Sequence, residues 1–127
     1  LKSDSTSPLR LRKNTYKEFK MRKIERDMVS AINGGYDWRS SNTTVTFDGD
    51  DWEVRLHGNL IARYVGGKLE VSVAGWNTHT TRSRVNAILR HFKYRTNLDH
   101  LKQKNFELVA VYQDGTEEQI DNLEVFL

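Results

Sequence analysis

The chain predicts an α+β fold: an antiparallel β-meander of about four strands plus a C-terminal β-hairpin, with two helices packed on one face. Three observations carry that expectation. Apolar residues recur at spacings of three and four in two stretches, near the start and in the middle of the chain. Between and after those stretches the period changes to two, in runs rich in β-branched and aromatic residues. Gly, Asn and Asp punctuate the gaps with turn chemistry. Runs of consecutive strands broken by single helices favour helices laid on one face of an antiparallel sheet.

The elements follow in order. Residues 1–13 (LKSDSTSPLRLRK) are polar and basic and hold the only proline, Pro8. They read as a flexible basic arm, leaving 14–127 as a single α+β domain. The first helix is expected from about Thr15, capped by Asn14 or Thr15. Met21, Ile24, Met28 and Ile32 form its apolar stripe, widened by Phe19, Val29 and Ala31, and Gly34-Gly35 end it. Strands are expected over 43–47, 52–57, 60–65 and 69–74. Asp48-Gly49-Asp50, Gly58-Asn59 and Gly66-Gly67 turn between them. A second helix is expected over 82–94, with Val85, Ile88, Leu89 and Phe92 on its buried stripe and Arg82, Asn86, Arg90 and Lys93 along one flank. Residues 106–112 read as a strand, Asp114-Gly115 as its turn, and 117–120 with 123–127 as short acidic strands.

Composition excludes several classes. The 127 residues contain no cysteine, which removes disulfides, thiolate metal sites and cysteine nucleophiles and fits a reducing interior. No apolar run approaches membrane-spanning length and no signal-peptide pattern is present, so no membrane partner is expected. A chain that starts at Leu1 rather than Met is expected to be trimmed from something longer. The formal net charge is only +3, but residues 76–104 hold seven Lys/Arg against one Asp/Glu, and residues 105–127 hold none against six. Such segregation builds a basic face opposite an acidic one, unless the segments lie side by side and cancel.

The stretch GWNTHTTRSRVNAIL (75–89) is the strongest functional candidate. A helix N-terminus exposes unpaired N–H groups at the positive end of the dipole, where Asp or Glu would favour stability. Arg82 and Arg84 stand there instead, with the hydroxyls of Thr78, Thr80 and Thr81. Guanidinium forks, hydroxyls and free N–H groups suit phosphate oxygens. Arg90, Lys93, Arg95, Lys102 and Lys104 would extend the charge into a track, and Trp76 would stack on a base. The competing reading makes the threonines caps, Trp76 a core plug and the arginines solvated. His57 and His79, with Asp50, Asp51 or Glu53, are the one combination worth testing as a metal site, although their spacing matches no ligand motif. No GxGxxG, P-loop lysine or nucleophile elbow is present, so no enzyme, metal or cofactor is expected.

The segments DWRSSNTTV (37–45), LHGNLIA (56–62), AGWNTHTTRSRVNAIL (74–89) and LKQKNFE (101–107) resemble a family of short proteins of tailed bacteriophages. The resemblance spans about residues 36–107, with Val85 where leucine is expected. It implies a viral origin, action in the cytoplasm of the infected bacterial host, and no particular activity. It also singles out Asn42, Thr43, His57, Asn59 and Asn86 beside Trp76, Thr78, Thr80, Thr81 and Arg82. These form either a polar surface or a buried network fixing helix to sheet. The functional expectation is a non-catalytic domain that holds nucleic acid, DNA or RNA, through phosphates at the second helix. The alternative is a phage protein that binds and inhibits or redirects a host protein, through an acidic C-terminal segment. A metal-dependent nuclease comes third.

Overall fold

The computed structural model describes residues 21–121 and 126–127, and its first element is helix α1, Lys23–Gly34. Five strands follow: β1 Trp38–Ser40, β2 Thr43–Asp48, β3 Asp51–Leu56, β4 Asn59–Val65 and β5 Lys68–Val71. Helix α2, His79–His91, and a 3-10 turn at Lys93–Arg95 lead into β6 Leu98–Lys104, β7 Glu107–Tyr112 and β8 Glu117–Ile120. Strands β1 to β5 pair antiparallel in chain order, and β6 to β8 make a separate antiparallel sheet. The α+β expectation holds. The arm at 1–13, the expected helix start at Asn14 or Thr15 and residue Phe19 lie outside the described residues, but Met21 is not helical and extended Arg22 is the cap, so α1 starts at Lys23, later than expected.

Alternation explains the sheet. Trp52, Val54 and Leu56 are buried while Glu53 and Arg55 between them are not. Two-residue turns close the hairpins, and His57-Gly58 and Gly66-Gly67 take positive φ at both positions. That conformation twists with the strands, which glycine permits and His57 tolerates at some cost. The inner faces meet the helices in one core that includes Met28, Val29, Ile32, Val45, Ile61, Val71, Val85, Ile88, Leu89, Leu98, Leu101 and Leu108. Trp52 stacks on Tyr64 with ring centroids 5.6 Å apart. No helix among the described residues is long and apolar enough to cross a membrane.

Five further features differ from expectation. The meander gains β1, and the C-terminal hairpin becomes three strands because Leu98–Lys104 pairs with β7. Helix α2 starts three residues earlier than expected, since Thr78 is its cap: its Oγ1 accepts from the Thr81 amide at 3.1 Å. The helix ends at His91 rather than at 94, where the chain tightens into the 3-10 turn. Strand β5 stops at Val71, because Ala74 and Gly75 adopt left-handed conformations that turn the chain away. Of the expected strand 123–127, residues 123–125 lie outside the described residues. Leu127 exchanges two backbone hydrogen bonds with Val71, at 3.0 and 2.9 Å, and so covers the β5 edge.

Candidate binding cleft

The left-handed pair Ala74-Gly75 places Trp76 in solvent. Ala74 has φ 53° and Gly75 φ 85°, and the Trp76 amide donates back to the Val73 carbonyl at 2.9 Å. The Ser72 hydroxyl holds the turn by accepting from the Ala74 amide at 2.9 Å. Left-handed alanine costs on the order of 1 kcal/mol, so the turn is held against a local penalty. Its consequence is a tryptophan 61% exposed at the mouth of a cleft of about 580 Å³.

The cleft lies between the β3–β4 turn, the β1–β2 turn and the start of α2. Its apolar walls are Leu56, Ile61 and Val73; Asn42, His57, Asn59, Thr78, Thr80 and Thr81 supply neutral polar groups. None of these lining residues carries a formal charge with histidine neutral. Around the mouth, Arg82 Nη1 donates to the Asn77 carbonyl at 3.3 Å and also to Asn77 Oδ1. On the β3–β4 side, Arg55 Nη1 donates to the Gly58 carbonyl at 3.2 Å. The Thr81 and Arg82 amides bond within the cap, to Thr78 Oγ1 and Thr78 O. The preceding amides, of His79 and Thr80, are first-turn N–H groups of the kind that bind anions.

Several expected ligands are elsewhere. Arg84 is 4% exposed and forms a 2.8 Å ion pair with Glu25, also buried, while its Nε donates to Thr43 Oγ1 at 3.1 Å. It is a countercharge inside the protein, so its assignment as a phosphate contact is corrected. Thr43 is fully buried and leaves the polar surface for the same reason. Thr81 is 2% exposed, at the floor of the cleft. Asn86 is occupied at both ends of its amide, giving Nδ2 to the Leu101 carbonyl at 2.9 Å and taking the Leu101 amide on Oδ1 at 2.8 Å. The flank expected to be a charged track is therefore the docking face for β6. Arg90, Lys93 and Arg95 are exposed but lie at or just past the far end of the 13-residue helix, about 14 Å or more along its axis from the cleft-lining threonines. Lys102 pairs with Glu117 at 2.7 Å, so basic β6 and acidic β8 partly neutralise each other across β7.

The structure keeps together Trp76, Thr78, Thr80, Asn42, His57 and Asn59 at one cleft, with Arg82 beside it. His79 does not line it, and Asp51, at the opposite end of β3 from His57, accepts from the Gly66 amide at 3.2 Å. Among the described residues no group of three or more His, Asp or Glu stands close enough to hold a metal ion. Sequence reasoning missed Glu25, whose carboxylate accepts from Ser83 Oγ at 2.6 Å as well as from Arg84. It also treated Leu56, Ile61 and Val73 as strand residues only.

Against known proteins, the family model described as Kyanoviridae Gp96 protein matches residues 21–125. No curated protein and no solved structure matches the chain.

Proposed function

The chain belongs to the Kyanoviridae Gp96 protein family, a phage family as the resemblance implied, and from that premise we propose that it binds single-stranded nucleic acid without catalysing a reaction. The observation that carries the proposal is Trp76, held exposed by a strained turn at the mouth of a cleft with apolar walls and neutral hydrogen-bonding groups. One unstacked base enters the cleft against the indole, and a flanking phosphate meets Arg82 and the first-turn amides of α2. Base-aromatic stacking contributes about 1–3 kcal/mol per base and needs no particular sequence. Duplex DNA keeps its bases stacked and is the poorer ligand. The setting is the infected host cell, where a phage protein is made.

With Arg84 internal, few cations stand beside the cleft, so the salt dependence is shallow. Neutralising one or two phosphates of a single strand gives a log-log slope of about −0.7 to −1.4. Fluorescence anisotropy with labelled single- and double-stranded oligonucleotides at two salt concentrations tests this. Trp76→Ala is expected to weaken single-strand binding about tenfold or more, in line with the loss of one stacked base. No binding of any DNA or RNA strand at low salt ends the proposal.

A second reading, a phage protein that binds a host protein, is favoured by a different surface. Phe106 sits at the tip of the β6–β7 hairpin, 89% exposed and at φ 67°, where glycine would be unstrained. An exposed aromatic kept in a costly conformation suits a contact that covers it. Nuclease-resistant retention of a host protein, lost in Phe106→Gly and kept in Trp76→Ala, would select this reading.

A further inference from the structure

Left-handed backbone at residues other than glycine is confined to two places among the described residues. Ser41, His57 and Ala74 belong to the three segments that frame the cleft, and Asn105 and Phe106 form the β6–β7 turn. Asparagine suits that region, whereas a phenylalanine at φ 67° occupies a position that favours glycine. Phe106 is also 89% exposed, so burial offsets none of its penalty. Each place therefore holds an aromatic side chain out in solvent, Trp76 at one and Phe106 at the other. Hydrogen bonds set both at the same end of α2. The Gln113 side-chain amide donates to the Lys93 carbonyl at 2.6 Å and to the Thr96 carbonyl at 2.8 Å, so β6 begins beside the C-terminus of α2. Asn86, midway along α2, bonds Leu101, midway along β6. The strand thus runs antiparallel to the helix. From Leu101 to Lys104 is about 10 Å of strand, and from Asn86 back to His79 is about 10 Å of helix. The β6–β7 turn accordingly projects at the N-terminal end of α2, where the cleft opens.

We infer that one nucleic-acid strand runs from the cleft across Arg82 to the β6–β7 hairpin tip and stacks a second base on Phe106. The inference rests on the single-strand reading above and extends its site beyond one nucleotide. Arg82 stands on the path between the two aromatics. It lies one turn before Asn86 on the flank that faces β6, and its guanidinium bonds the neutral carbonyl and Oδ1 of Asn77, the residue after Trp76. Its charge therefore remains available to the phosphate that links the two stacked bases. Two aromatic platforms joined by a cation are the elements of sequence-tolerant single-strand binding. Tyr94, 90% exposed, is excluded from the path because it lies in the 3-10 turn past the opposite end of α2.

The test titrates labelled oligothymidylates, from the dinucleotide to about ten nucleotides, against four variants. Phe106→Gly is expected to weaken the longest strand about tenfold, the loss of one stacked base, and to leave the dinucleotide unchanged. Trp76→Ala weakens strands of every length. Phe106→Tyr keeps the affinity for the longest strand, which a residue serving only the turn would not require. Tyr94→Ala binds as the wild type does. Glycine is unstrained at this φ, so Phe106→Gly should unfold in urea no earlier than the wild type, and its binding defect is not a folding defect. Equal binding of Phe106→Gly and wild type at every length overturns the extended path and leaves single-strand binding at the cleft standing. The same equality, with retention of a host protein lost, overturns it in favour of a protein contact at Phe106. No binding of any strand by the wild type overturns both the path and the reading on which it rests.

Discussion

Arg84 shows at the scale of one residue how a site argument turns on burial. Two arginines in the first turns of α2 pointed to phosphate, but a guanidinium 2.8 Å from a buried carboxylate already has its anion. Removing one partner of a buried pair leaves an uncompensated charge, which costs about 3–5 kcal/mol. Arg84→Met is therefore expected to lose about that much in urea unfolding, and Glu25→Leu added to it should recover at least half. Wild-type stability of Arg84→Met would instead mean that the side chain faces solvent. The signal was present in the sequence. Arg84 stands four residues before Ile88 and three before Ala87, and Glu25 stands three before Met28 and seven before Ile32, all buried positions. Two opposite charges, each on an apolar stripe, are partners that pattern alone can nominate. Their meeting across 59 residues is a tertiary fact that no local window contains. By contrast the gathering of Trp76, Thr78 and Thr80 at one cleft was legible, because the turn and cap that place them are local.

Among the elements, β6 is the one that pattern concealed. Its buried residues are Leu98 and Leu101, three apart, because the pairing with β7 shifts between Leu98 and His100. A bulge breaks the period of two and leaves a spacing that resembles a helix turn. Strand β1 escaped for a simpler reason, having only three residues. The long strands β3 and β7 were legible because their alternation is unbroken or their apolar run continuous. What secures β6 is Asn86, whose amide substitutes for a neighbouring strand by bonding both the N–H and the C=O of Leu101. Asn86→Leu leaves those two backbone groups without partners, at about 1–3 kcal/mol each. The expected loss is about 2–6 kcal/mol, with the Leu101 amide exchanging faster in hydrogen-exchange NMR. An unchanged exchange rate would show that the flank of α2 does not hold the strand.

Across the whole molecule, two sheets of different charge character share α2, and pH should separate them. The acidic segment is folded back beside basic β6, so its carboxylates act as internal partners. Asp114 is held below its ordinary pKa first by the Thr116 hydroxyl, which donates at 2.6 Å, and then by the Thr116 amide at 2.9 Å. Glu117 is lowered first by the hydrogen bond from Lys102 and, despite some desolvation, by the charges of Lys102, Lys104 and His100. A carboxylate with a lowered folded pKa contributes stability above its unfolded value and loses it as pH falls through the folded one. Both groups lie in or beside β8, so acid should loosen the β7–β8 hairpin. Tyr112 has the opposite sign. Its phenol donates to Glu118 at 2.7 Å, which raises its pKa, so its contribution is complete below about pH 10 and fades only as pH climbs past the raised value. The expected result is that, between about pH 6 and pH 3, amide protection falls at Val109 and Val111 before it falls at Val45 and Val54. Parallel loss in both sheets would mean that the Asp114 and Glu117 contacts add nothing local. Added salt at neutral pH offers a cross-check, since it screens the exposed Lys102–Glu117 pair but leaves the short-range Thr116 hydrogen bonds to Asp114 in place.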